Sequence, residues 1–278
     1  MYPNELFNIF GVSVDLYTIC FLVGIIACLI FTIIAMKKCG YSSTARDVII
    51  FIGILSIMIG LLSAALFQAF YNLIAGNGFK FEGMTFIGGL IGGVVAFVGL
   101  YFLYVYVINP RLKEKSFFKS DMNKGVWYLL RIAPISITIA HGFGRIGCFF
   151  AGCCYGKETD AWYGIQFPGL HTKVIPTQLF EAIFLFALSA AMIVLLFVVN
   201  FKYNMSLYLV SYGIWRFLIE FLRDDHRGNF IPGITPSQFW AIVLFIGGVT
   251  YLVILLKSKK THMRDYELPY NEAVKTQE

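Results

Sequence analysis

Charge is scarce in this chain. Of 278 residues only 14% are Asp, Glu, Lys or Arg, while 58% are hydrophobic and 17% aromatic. A water-soluble fold of this length cannot hide so much apolar surface in one core, so most of the chain must be solvated by lipid. The net charge of +6 sits in a few loops and the polar end of the chain. Membrane orientation accounts for it, and no nucleic-acid partner is expected. A cleavable leader is not expected either, because the first apolar segment has acidic flanks and full spanning length. The six cysteines lack the paired CxxC spacing of the usual zinc sites, so neither a metal nor a cofactor is expected.

What is abundant is apolar sequence in bilayer-length stretches. Hydropathy predicts an all-α integral membrane protein with about seven transmembrane helices, near 14–36, 47–74, 86–108, 127–148, 178–200, 205–222 and 236–256. Basic loops carry Lys37, Lys38 and Arg46, then Arg111, Lys113, Lys115, Lys119 and Lys124, then Lys202, then Lys257, Lys259 and Lys260. The alternate loops are neutral or acidic. The positive-inside rule therefore places the N-terminus outside and the C-terminus in the cytoplasm. Residues 1–260 form one polytopic domain in this reading, followed by a loose polar tail, 261–278.

Polar groups inside such segments call for partners or a substrate. His141-Gly142-Phe143-Gly144-Arg145-Ile146-Gly147-Cys148 closes the fourth segment, followed by Gly152, Cys153, Cys154 and Gly156. On a continuous helix His141, Arg145 and Cys148 share one face. A guanidinium can hold a phosphate through two donors, and the surrounding glycines favour that role for Arg145 over an interfacial snorkel. His141 is either a general base or an interhelical hydrogen-bonding group. The sixth segment carries a second stripe: Tyr212, Arg216, Glu220 and Arg223. It reads as a second cation steadied by Glu220, or as a structural ion pair. Cys148, Cys153 and Cys154 allow an oxidised pair or plain packing.

Other signals are plainer. The run from Gly83 to Gly93, including Gly88 and Gly89, opens the third segment. It serves close helix contact, or offers backbone N–H groups to a head group. The segments 176–180 and 236–240 resemble each other and read as helix starts, with anion binding at two positive helix ends as the alternative. Tyr17, Gln178 and Glu181 are further polar groups at segment boundaries. Arg131 reads as a snorkelling anchor.

Four stretches together resemble the prolipoprotein diacylglyceryl transferase family of bacterial membrane enzymes. They are Gly144-Arg145-Ile146-Gly147-Cys148-Phe149 with Gly152 and Gly156, the run Gly83–Gly92, Pro176-Thr177-Gln178-Leu179-Phe180-Glu181, and Tyr212 to Arg223. The resemblance implies a multi-pass enzyme of the bacterial cytoplasmic (inner) membrane. Its partners would be phosphatidylglycerol in the surrounding membrane lipid and the lipobox peptide of a preprolipoprotein. It would move the diacylglyceryl group to the lipobox cysteine thiol and release glycerol phosphate. By carry-over Arg145 holds the phosphate, Arg216 is the second cation with Glu220 its partner, and Tyr17 matches the first-helix tyrosine. Gly144, Gly147, Cys148, Gly156, Gly88, Gly89 and Gln178 would line the substrate site.

The chain departs from that pattern at four positions. Ile87 stands for a histidine, Cys148 for an asparagine, Cys153 for a glutamate and Ile175 for a histidine. His141 is then the candidate base. A relative using another acceptor, or a lipid-binding protein that has lost the chemistry, are the alternative readings.

Overall fold

Where no water reaches the backbone, its hydrogen bonds must close within the chain. The computed structural model meets this with α1 (Leu16–Lys38), α2 (Ser43–Ile74), α3 (Phe86–Leu103), α4 (Phe117–Phe150), α5 (Thr177–Phe197), α6 (Asn204–Ile219) and α7 (Pro236–Lys257). It describes residues 6–9, 12–41, 43–74, 76, 78–81, 85–111, 117–223 and 233–258. Gly83 and the tail 261–278 lie outside these. Among the described residues, seven helices are long and apolar enough to cross a membrane, and each expected span is found. A π-helical turn, Tyr104–Ile108, prolongs α3, and a 3-10 turn, Glu220–Leu222, prolongs α6. The sequence does not foresee a short antiparallel hairpin, β1 (Phe7–Ile9) with β2 (Val12–Val14), which pairs Phe7 with Val14. After it, Asp15 accepts from the Thr18 amide at 2.8 Å and the Thr18 hydroxyl at 2.7 Å. Those two bonds hold the Asp15 carboxyl below its ordinary range.

The chain folds into two compact units. One, Met36–Gly125, contains α2 and α3. A Cβ on Gly60 would lie 3.0 Å from the Gly89 carbonyl oxygen, and one on Gly88 only 2.6 Å from Phe67 Cβ. Ser63 donates to the Gly88 carbonyl at 2.9 Å. Glycines 88 to 93 thus let two helices touch, the simpler of the two expectations for that run.

The other unit, Met1–Ala35 with Val126–Glu278, holds the rest. Here α1 crosses α4 at Gly24, whose added Cβ would lie 3.0 Å from Phe143 Cβ. The hydroxyls of Thr32 and Ser136 bridge the same pair of helices at 2.7 Å. On α4, Arg131 is 2% exposed, which corrects its reading as a snorkelling anchor. Asn204 of α6 donates to its carbonyl at 3.2 Å, and the side chain stays within the packing.

The α6–α7 pair is also tightly packed at its glycines. A Cβ on Gly213 would lie 2.9 Å from the Ala241 carbonyl, and one on Gly248 would lie 2.8 Å from Leu209 Cβ. Leucine at either position should force the helices apart at a cost of about 1–3 kcal/mol, read as a lower unfolding midpoint in detergent. Leucine at Gly247, where a Cβ meets nothing within 4 Å, should leave the midpoint unchanged.

Candidate active site

Several helix ends meet beside the connection from α4 to α5. Gly152 and Cys154 take left-handed φ values of 65° and 63°, which turn the chain sharply after α4. Gly156 then donates to the Ile175 carbonyl at 2.8 Å, and Lys157 to the Leu222 carbonyl at 2.8 Å. A Cβ at Gly156 would collide with that same Leu222 carbonyl, so only glycine lets the connection lie against the end of α6. At the start of α7, Thr235 and Gln238 form a reciprocal capping box with Pro236 in the first turn. The two similar helix starts do different work. At α5, Thr177 donates to the Cys154 carbonyl at 2.8 Å and Gln178 to the Cys153 carbonyl at 2.6 Å.

Between these ends lies a buried ion cluster centred on Glu181, whose side chain is fully buried. One of its oxygens, Oε2, is 3.1 Å from Arg145 Nε and 3.9 Å from Arg216 Nη1. The other, Oε1, accepts from the Tyr212 hydroxyl at 2.8 Å and lies 3.9 Å from His141 Nε2. The His141 ring also meets Tyr212 edge-on, with centroids 5.1 Å apart. Arg216 Nη2 lies 2.7 Å from Glu220 Oε2 and donates to Ser237 at 2.7 Å. Thr235 donates to Glu220 Oε1 at 2.9 Å, and Arg223 Nε is 3.9 Å from Glu220 Oε2. Among the described residues, three guanidiniums thus face two buried carboxylates. Arg145 Nε, Arg216 Nη1 and Glu181 Oε2 are near one another, yet none of the three makes a hydrogen bond to a described residue. Guanidinium donors placed in this way suit an anionic ligand.

The sequence stripes therefore converge: His141, Arg145, Arg216 and Glu220 belong to one cluster. Spacing along single helices did not disclose Glu181 as its centre, nor Ser237 and Thr235 as partners. An acid one turn inside an apolar segment was the available signal. Tyr17 stands at the rim, 41% exposed, and a Cβ on Gly147 would lie 3.0 Å from its ring. Beside Gly144 a Cβ would meet nothing within 4 Å, so packing does not require that glycine. Gly88 and Gly89 lie in the other unit.

The Sγ atoms of Cys148, Cys153 and Cys154 all lie within 4.8 Å of one another. None of the three is in a disulfide, and Cys153 is exposed. The disulfide weighed from sequence is not formed. Hydrogen bonds with Cys148 and Cys153, and the Arg223 guanidinium, hold the Cys154 thiol well below the ordinary thiol range.

Removing the central carboxylate should leave Arg145 buried without its counter-charge and Arg216 with Glu220 alone. We expect Glu181→Ala to cost about 3–5 kcal/mol, measured as loss of thermal stability in detergent. Glu181→Ala combined with Arg145→Met should recover part of that loss, because one uncompensated charge goes with it.

Known proteins resemble this chain along nearly its whole length. The family model described as prolipoprotein diacylglyceryl transferase matches residues 4–254, and so spans both units. A phosphatidylglycerol–prolipoprotein diacylglyceryl transferase of Clostridium tetani is 32% identical over 263 residues, covering 88% of this chain and 94% of the relative. One from Clostridioides difficile is 29% identical over 269 residues, covering 93% and 98%. A protein of Clostridium perfringens named phosphatidylglycerol–prolipoprotein diacylglyceryl transferase 2 is 41% identical over 150 residues, 49% of this chain and 57% of that one. With the match running through nearly all of its length, this chain belongs to the prolipoprotein diacylglyceryl transferase family.

Proposed function

We propose that this protein transfers the diacylglyceryl group of phosphatidylglycerol to a lipobox cysteine thiol and releases glycerol phosphate. The observation that carries the reading is the buried cluster in which Arg145 and Arg216 face Glu181, with one donor on each making no hydrogen bond to a described residue. A phosphodiester carries one negative charge, which these two guanidiniums can meet. Arg145 and Arg216 bind its oxygens, and Glu181 and Glu220 fix the two guanidiniums. As the carbon–oxygen bond breaks, charge grows on the departing phosphate, where these cations stabilise it more than in the ground state. Open space beside Gly144 leaves room for the head group, and Tyr17 borders it.

Of the two roles open to His141, the contacts favour positioning. It lies one turn, about 6 Å, from Arg145 on the side away from the end of α4, and it contacts Glu181 and Tyr212. It orients the carboxylate that sets both arginines.

The site lies on the outer face of the bacterial cytoplasmic membrane in this reading, with the N-terminus outside and the C-terminus inside. The basic residues flanking the opposite helix ends support that orientation.

Purified protein in phosphatidylglycerol vesicles, given a lipobox peptide, should yield thioether peptide and glycerol phosphate in equal amounts. Glycerol phosphate release without peptide modification would refute the acceptor, and no release would refute the enzyme. Arg145→Ala should lose about 100- to 1,000-fold in rate. His141→Ala should lose about ten- to a hundredfold while keeping the shape of the pH–rate profile; loss of a limb of that profile would make it the base. For orientation, cysteine placed at Trp162, 92% exposed, in a Cys153→Ser background should react with an impermeant maleimide in intact cells. Cysteine at Lys202 should react only after permeabilisation.

A further inference from the structure

The reading above holds the lipid phosphate but gives the incoming thiol neither a binding place nor a means of losing its proton. The three converging cysteines fill that gap. We propose that Cys148, Cys153 and Cys154 bind a thiophilic divalent cation, zinc by its chemistry, and that the acceptor thiol occupies the fourth position.

Geometry comes first. In a tetrahedral thiolate site with metal–sulfur bonds of about 2.3 Å, neighbouring sulfurs lie roughly 3.8 Å apart. Here the three sulfurs are all within 4.8 Å of each other, so a tetrahedral arrangement needs a movement of about 1 Å. Adjacent side chains on ordinary extended backbone point apart. Cys154 instead has φ 63°, a rare value for a residue other than glycine, and its sulfur joins that of Cys153. Neighbouring groups fix the arrangement. Thr177 and Gln178 hold the carbonyls of Cys154 and Cys153. The Gln178 side-chain oxygen is buried and accepts no hydrogen bond from a described residue. Such supporting contacts are what a metal site requires around its ligands.

Charge and chemistry agree. Three thiolates and a divalent cation carry one net negative charge, and Arg145 and Arg223 are both in electrostatic range of these sulfurs. Three protein ligands leave the open position of a reactive zinc site. Cys153 is exposed, which gives a peptide thiol a route in. Cys148 is three residues from Arg145 on α4, about 4.5 Å along the helix, so thiol and phosphate are bound side by side.

The step balances without an oxidant. On coordination the acceptor thiol releases its proton to water. The metal-bound sulfur attacks the glyceryl carbon, a carbon–sulfur bond forms, and the carbon–oxygen bond breaks. Its electron pair leaves on the phosphate oxygen as glycerol phosphate. The thioether, a weaker ligand than a thiolate, then dissociates, and the metal keeps its charge throughout.

The test uses the full chain in detergent, kept reduced with a phosphine, loaded with zinc alone and freed of excess. Elemental analysis should find about one zinc per chain, kept in Cys28→Ser and lost in the Cys148→Ser, Cys153→Ser, Cys154→Ser triple variant. Cobalt in place of zinc should give thiolate-to-metal charge-transfer absorption. That absorption should shift with a lipobox peptide and not with its serine analogue. Should the triple variant fail to fold, wild-type protein still decides: zinc should protect these three thiols, identified by mass spectrometry, from maleimide. Absence of stoichiometric metal, its retention in the triple variant, or a cobalt spectrum indifferent to the peptide thiol would overturn the proposal. The proposal rests on the transferase reading, but the two fail separately. A bound metal that responds to the peptide without any diacylglyceryl transfer sinks the reaction alone, whereas full transfer from metal-free protein sinks the cation site alone.

Discussion

One carboxylate holds the catalytic half of this molecule together. Glu181 is fully buried, and its oxygens face Arg145 from α4, Arg216 and Tyr212 from α6, and His141 from α4. In a low-dielectric interior, neither arginine is tolerable without a counter-charge. The three helices α4, α5 and α6 must therefore meet at this height. Their close approach depends in turn on small residues such as Gly142, beside the Phe186 ring, and Gly213, beside α7. Local sequence makes the helices, packing brings them together, and the shared charge fixes their register.

That register leaves one donor on each of Arg145 and Arg216 without a hydrogen bond to a described residue, and the proposed phosphate binding rests on those donors. A fully hydrogen-bonded network would be a structural clamp with nothing left to offer a ligand. Here Arg216 is fastened on one side by Glu220 and Ser237, while its Nη1 bonds no described residue. Arg145 is near its carboxylate, yet its Nε makes no hydrogen bond to a described residue. Cations that are fixed in place but not saturated need little reorganisation to take a phosphate, which is the condition for stabilising charge as it develops.

The spans were legible because hydropathy and length decide them. The two arginine stripes were legible because three- and four-residue spacing places side chains on one helix face. What spacing cannot supply is the partner on another helix. Glu181 was visible as a polar residue, but its centrality arises only where α5 meets α4 and α6. Arg131 illustrates the same gap, since a basic residue near a helix end reads as a snorkel until Asn204 is seen beside its carbonyl. The hairpin at residues 7–14 escaped because three-residue strands carry almost no periodic signal. The cysteine convergence was hidden by a single torsion angle: with ordinary extended backbone at Cys154, adjacent cysteines make poor joint ligands.

This last point changes how the departures from the family pattern are understood. Read along the chain, Cys148 in place of an asparagine and Cys153 in place of a glutamate look like two separate losses of polar function. In space they are one substitution, because both sulfurs and that of Cys154 fall within 4.8 Å of one another. The residues proposed to hold the phosphate, on α4 and α6, and the Glu181 that faces them from α5, stand beside them. Cation recognition of the lipid and handling of the thiol are chemically separable tasks, the first needing fixed positive charge and the second a means of removing a proton. A family member can keep the first intact and rebuild the second with different atoms, provided the new group lies next to the old phosphate site. Cys148, one turn from Arg145 on the same helix, meets that proviso.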